Sequence, residues 1–150
     1  MAFGVGRLIT AAGQLYGGIA SYYSSMEQAS LFETQASLLQ EQGRLTQDDY
    51  YRQAALVRDE GHRARAKQTM EYISAGVEAV GTPQLMARET ASKYMTKSSA
   101  LQTTGRNYNM LYGRKASMER RTARVARNEG RASLITGVLN AAGSTMEAFI

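Results

Sequence analysis

Two series of small and apolar positions set the pattern of this chain. Phe32, Ala36, Leu39, Gly43, Thr46, Tyr50, Ala54, Val57, Gly61, Ala64 and Gln68 follow one another at steps of three or four, ten steps covering 36 residues. Leu101, Gly105, Tyr108, Tyr112, Ala116, Glu119, Ala123, Ala126, Gly130, Leu134 and Gly137 repeat the arrangement, again ten steps over 36 residues. A mean step of 3.6 is the α-helical period. Between the two series stand Gly76, Gly81 and Pro83, the one proline of the chain. Thr82 is biased out of the helical region by the proline that follows it, and glycine after a helix with proline at the start of the next is the usual punctuation. The spacing therefore predicts an all-α fold. Its form is a long antiparallel helical hairpin with arms at about 27–75 and 84–137, a turn near Gly76–Pro83, and Gly/Ala-rich helical ends at 1–26 and 132–150.

Facing residues in an antiparallel pair have a constant sum of numbers. Centring the turn on Pro83 sets that sum at 166 and pairs Gly61 with Gly105, Ala54 with Tyr112, Tyr50 with Ala116, Gly43 with Ala123 and Ala36 with Gly130. Large residues then meet small ones, and Gly meets Gly or Ala where backbones can approach. The predicted seam is Gly43, Tyr50, Ala54, Gly61, Gly105, Tyr112, Ala116, Ala123 and Gly130. An arm of about fifty residues spans roughly 75 Å at 1.5 Å per residue. A lone hairpin of that kind buries little apolar area per residue, so a single elongated domain that assembles with copies of itself is expected.

Composition sharpens this expectation. The 150 residues include fourteen Gly and nine Tyr but only three Phe, one His, and no Cys or Trp. Scarce bulk cannot fill a wide core and suits narrow seams between helices. Without Cys there is no disulfide framework, thiolate metal site or thiol nucleophile. The net charge of +5 is segmental: residues 27–60 carry three positive and seven negative charges, and residues 106–131 eight positive and two negative. An antiparallel hairpin lays the acidic arm beside the basic one. Arg114, Lys115, Arg120, Arg121, Arg124 and Arg127 then form a neutralised, solvated face, or alternatively a transient DNA contact. Tyr94, Tyr108 and Tyr112 near the basic arm can stack on bases, although Tyr108 and Tyr112 fall in the seam series.

The two ends are uncharged runs, "LITAAGQLYGGIASYYSSM" after Arg7 and "ASLITGVLNAAGSTM" after Arg131. Gly13/Gly17 and Gly137/Ala141 have the small-xxx-small spacing of close helix contacts. Thr10, Gln14 and several serines make the first a poor transmembrane helix, and the second is too short to span alone. "GIA" before Ser21 is only a loose match to a signal-peptide cleavage site. Both ends read as subunit contacts, with membrane insertion as an oligomer the sharper alternative and Tyr22 and Tyr23 at the interface.

Signatures of catalysis are lacking. No nucleotide-binding, nucleophile-elbow or zinc-protease motif occurs, and His62 in "RDEGHRAR" stands alone. Asp48/Asp49 and Asp59/Glu60 diverge by about 100° on a helix and form no facing dyad. No enzyme, cofactor or metal site is expected.

The layout as a whole resembles a known family. "EQASLFETQASLLQEQGRLTQDDYYRQAALVRDEGHRARAKQ" leads to "YISAGVEAVGTPQL", returns through "TTGRNYNMLYGRKASMERRTARVARNEGRAS" and closes with "LITGVLNAAGS". This is similar to the small internal virion (core or ejection) proteins of short-tailed, T7-like bacteriophages. In that family the turn often reads Ser-Gly-Val, then Gly-Ser or Gly-Thr, whereas here Ala75 separates Ser74 from Gly76. The likeness covers nearly the whole chain and is one of pattern and length, without a catalytic signature. It implies a protein held inside the capsid near the portal with other core proteins, and ejected with the genome. In the host envelope it would then join a DNA conduit, the smallest member being associated with the outer membrane. The alternative is a core, portal-associated or tail adaptor protein that stays in the virion. A DNA-binding helical hairpin is the third reading.

Overall fold

The computed structural model describes residues 3–78 and 81–146, with side chains over 12–78 and 81–142. It contains two α-helices, α1 (Phe3–Ser74) and α2 (Thr82–Met146), and no strand among the described residues. The expected helical hairpin is present, and both ends continue the helices they adjoin. The outermost residues of the two terminal segments (1–2 and 147–150), and 79–80 in the link, lie outside the described residues.

The link explains how one helix stops and the next begins. Gly76 adopts φ +73°, its N–H donates to Ile73 O at 3.0 Å, and Val77 N–H donates to Tyr72 O at 2.9 Å. This paired closure satisfies carbonyls that α1 would otherwise leave open, and it needs the left-handed conformation that glycine adopts without a steric cost. Gly81, also at φ +73°, presents the carbonyl that accepts Leu85 N–H at 3.1 Å and so opens α2. Pro83 sits inside the first turn of α2, where its missing N–H is not required.

Tertiary contacts divide into two units, one of Leu39–Arg114 and one joining the chain up to Leu38 with that from Lys115. In the Leu39–Arg114 unit the buried residues are Gly43, Ala54, Gly61, Ala87, Ser98 and Gly105. In the other they are Gly18, Ala29, Ala36, Ala116, Ala123, Ala126, Gly130, Gly137 and Ala141. Among the described residues no buried side chain exceeds serine in size. Along each helix the row advances by steps of seven or eleven, apart from Ala126 and Ala141 beside it. A seven-residue step falls about 20° short of whole turns and an eleven-residue step overshoots by about as much, so alternating them keeps the row on one face.

Neighbours across the seam correct the expected pairing. A Cβ built on Gly61 would lie 2.6 Å from Tyr94 Cβ, one on Gly105 2.8 Å from Tyr50 Cβ, and one on Gly43 2.9 Å from Tyr112 Cβ. Gly61 therefore faces Tyr94 rather than Gly105, Tyr50 faces Gly105 rather than Ala116, and Gly43 faces Tyr112 rather than Ala123. Ala54 faces Ser98, not Tyr112. In the other unit Gly130 lies against Ser25 and Tyr22 rather than Ala36. The partner numbers add to about 155, not 166, because the hairpin folds about the middle of the link, near residue 78, and the proline belongs to α2. Eleven residues are three helical turns, so the shift changes every partner and leaves the face unchanged.

Glycines at the seam and glycines away from it should therefore respond oppositely to one substitution. Gly105→Ala places a Cβ against Tyr50 Cβ and 3.3 Å from Gln47 O, and should destabilise by about 1–3 kcal/mol. Gly113→Ala meets nothing within 4 Å in mid-helix, and should stabilise by up to about 1 kcal/mol. Thermal or urea unfolding of the two variants checks the sign of each.

Candidate functional site

Three glycines receiving three tyrosines organise the Leu39–Arg114 unit. The Tyr50 ring, anchored over Gly105, stacks on Tyr108 with centroids 5.6 Å apart and planes 9° from parallel. Beside this stack runs a polar clasp. Asn109 Nδ2 donates to Gln47 Oε1 at 2.6 Å, Gln47 Nε2 donates to Tyr51 Oη at 2.9 Å, and Arg106 Nε donates to the same phenol at 3.1 Å. Deeper in the seam, the Ser98 hydroxyl donates to Ala54 O on α1 at 2.9 Å. Other hydroxyls, such as Thr34, Thr69, Thr96 and Thr103, bond a carbonyl one turn back in their own helix and add nothing across the seam. Ser98 and the clasp thus give this unit cross-helix hydrogen bonds, as does Tyr72, whose phenol donates to Met86 Sδ at 3.7 Å.

The unit containing the chain ends has a different texture. Ala29, Ala123 and Ala126 pack together with Phe32 against them. At Gly18 the two backbones come close enough that a Cβ would stand 3.2 Å from Gly137 Cα and 3.3 Å from Ser133 O. Gly137 and Ala141, read from the sequence as subunit or membrane contacts, lie in the seam within the chain, whereas Gly13 and Gly17 do not. Both are exposed with nothing within 4 Å, and Gly18 makes the close approach instead. The reason is phase: Gly18 lies eleven residues before Ala29, whereas Gly13 and Gly17 fall off that row. Tyr22 is half-buried and meets Tyr23 edge-on at 5.8 Å, while Tyr23 is 69% exposed and Tyr16 77% exposed.

The basic run is partly engaged within the chain. Arg127 is paired with Glu33 at 2.7 Å, as the juxtaposition of acidic and basic arms leads one to expect. Arg114, Lys115 and Arg120 are likewise engaged within the chain. Arg121 and Arg124 are exposed. Arg114 belongs to the Leu39–Arg114 unit and the others to its counterpart.

Sequence reading did not anticipate the outward rows. Leu31, Leu38, Leu45 and Leu56 on α1, and Met118, Val125 and Leu139 on α2, are each more than half exposed, at 53–66%. Every one of them stands two positions after a buried Gly or Ala, hence about 200° around the helix from the seam. Each unit thus keeps its small residues inside and presents large aliphatic ones on its outer faces: Leu45 and Leu56 in one, the remaining five in the other. The signal was available, since these residues repeat the seven- and eleven-residue steps of the seam. Among the described residues, no helix is long and apolar enough to cross a membrane, and no group of three or more His, Cys, Asp or Glu could hold a metal ion.

Comparison with protein-family models, curated proteins and solved structures finds no match to this chain.

The clasp makes a prediction about pH. Hydrogen bonds from Arg106 and then Gln47 hold the Tyr51 phenol below its ordinary value of 10.0. The folded state therefore favours the ionised phenol. Its contribution is absent at neutral pH, grows as pH rises through the lowered folded value, and is complete above about 10. Ultraviolet titration should show Tyr51 ionising below 10.0, and Arg106→Gln should move its midpoint up. The stability gap between the two proteins should widen as pH rises toward 10.

Proposed function

We propose that this is a non-enzymatic bacteriophage internal virion protein that oligomerises and helps form the conduit for genome delivery across the host cell envelope. One observation carries the reading: the fully buried positions of the seam are all Gly, Ala or Ser, and a set of large aliphatic residues stands outside in regular rows. Scattered exposed leucines are ordinary on any protein, but rows with the period of the seam mark a face meant for covering. Leu31, Leu38, Met118, Val125 and Leu139 are the side chains that would meet neighbouring copies or other virion proteins such as the portal or fellow core proteins. Tyr16 and Tyr23, exposed near the ends of the hairpin arms, suit an interface between water and the outer membrane.

The sequence resemblance agrees with this reading in layout and length. On that resemblance the protein would be held inside the capsid before infection and enter the host envelope afterwards. A small-residue seam is also compatible with passage through a narrow portal, since each helix pair holds little buried apolar area that must be exposed on unfolding.

A second reading is a structural core, portal-associated or tail adaptor protein that stays in the virion. The polar Ser, Thr and Gln among the terminal apolar residues favour it, because subunit contacts tolerate them better than a bilayer does.

The experiment is electron microscopy of the purified protein with and without outer-membrane-like lipid, joined to a liposome-leakage assay. Rings or tubes formed with lipid, together with leakage, are the expected outcome. Assembly without lipid and without leakage would favour the adaptor, and a monomer under both conditions would remove both readings. Met118→Lys with Val125→Lys should abolish assembly while leaving the melting temperature of the unassembled chain within a few degrees, since both positions are exposed surface.

A further inference from the structure

The Leu39–Arg114 unit carries a second feature that neither the seam nor the outward rows use. On α1, Arg58, His62 and Arg65 fall within about 60° of one another around the helix, at 100° per residue. They line a hollow of about 210 Å³ that is bounded across the seam by Tyr94. On the other side of Tyr94, Lys93 and Lys97 line a second hollow of about 180 Å³. Tyr94 is fixed between them because its Cβ rests on Gly61, the tightest approach in the seam.

Charge in this groove is uncompensated. Lys93 is paired with Glu89 at 2.9 Å, but among the described residues Arg58, Arg65 and Lys97 have no ion-pair partner and His62 has no hydrogen-bond partner. Asp59 and Glu60 lie about 100° and 200° around α1 from Arg58 and leave on other sides. The Arg-rich run of α2, by contrast, spends part of its charge inside the chain, as in the Arg127–Glu33 pair.

We infer that the hollow beside Tyr94 is a binding site for single-stranded nucleic acid, with Arg58 and Arg65 on phosphates and the Tyr94 ring against a base. The chemistry matches what sequence-independent strand binders need: cations that follow the backbone and an aromatic face that accepts any base. Arginine suits the phosphate positions because its planar fork donates two hydrogen bonds at once. The site lies within one unit of one chain, so it stands independently of assembly or membrane contact.

Fluorescence anisotropy with labelled short oligodeoxythymidine, between about 50 and 200 mM salt, tests the assignment. Each phosphate contact on a single strand contributes about −0.7 to the slope of log K against log salt. Arg58→Gln with Arg65→Gln should therefore lower the slope by about 1.4 and weaken binding about 25-fold at 0.1 M salt. Arg121→Gln with Arg124→Gln removes the same charge from exposed positions outside the groove and should change affinity far less. Tyr94→Ala keeps the Cβ on Gly61 and removes the ring, and should cost about tenfold or more. Thermal melts of the same proteins confirm that each variant is folded. Equal weakening by the two arginine pairs would reduce the effect to diffuse charge and overturn the site. So would absence of binding, or a preference for duplex over single strand. Groove-dependent binding to anionic phospholipid vesicles without oligonucleotide binding would overturn it in favour of a lipid headgroup.

Discussion

Close approach of two helix backbones is the constraint from which the remaining features follow. Where a Cβ on Gly61 or Gly105 would fall within 3 Å of a tyrosine Cβ, no residue but glycine fits without moving the helices. At Ala54 and Ser98 the space admits a methyl or a hydroxyl, and the hydroxyl is used to reach a carbonyl on the other helix. Such contacts gain from dispersion and from the many atoms brought into range, more than from the apolar area of any one side chain. They also make register strict. A tyrosine that has lost its glycine must displace backbone, so sliding by one turn is opposed at three places in the Leu39–Arg114 unit alone.

With Gly, Ala and Ser at the fully buried positions, many of the large aliphatic residues stand outside. In a mixed core Leu31, Leu38, Met118 and Val125 would face the partner helix and supply about 1.5–3 kcal/mol each on burial. Here they lie on the far side of their helices, more than half exposed. The folded chain therefore forgoes part of its own apolar stabilisation and holds it available for a second partner. Mid-helix glycines without neighbours, at 13, 17 and 113, add to this sense of incomplete burial. Each disfavours the helix by about 1 kcal/mol relative to alanine and returns nothing within the monomer.

The helical period was the most legible feature of the sequence, and register the least. Steps averaging 3.6 residues identify the seam face without any knowledge of the partner, which is why Gly43, Ala54, Gly61, Gly105, Ala116, Ala123 and Gly130 are all buried. Partner choice depends on where the chain reverses, and there the proline misled. Pro83 draws attention as a breaker, but the backbone turns at Gly76 and Gly81, whose positive φ no pattern of hydrophobicity reports. The resulting offset of three helical turns reproduces the same faces with different neighbours, so nothing in the periodicity could flag it. At the amino-terminal end the small-xxx-small pair Gly13/Gly17 is exposed and makes no contact across the seam. The contact belongs to Gly18, which keeps the eleven-residue step from Ala29.

Charge followed a comparable logic. The dense Arg run of α2 dominates the sequence, yet opposite it lies an acidic arm, and geometry converts part of the run into structure, as at Arg127 and Glu33. Arg58 and Arg65 sit in the nominally acidic half of the hairpin or just beyond it and look unremarkable in a charge count. They come to line one hollow only when α2 brings Ala91, Tyr94 and Met95 alongside. Density of like charge in a sequence thus measures how much neutralisation a fold must arrange. Charge left over for a ligand is sought where the two helices meet without complementary partners, as at Arg58 and Arg65 beside Tyr94.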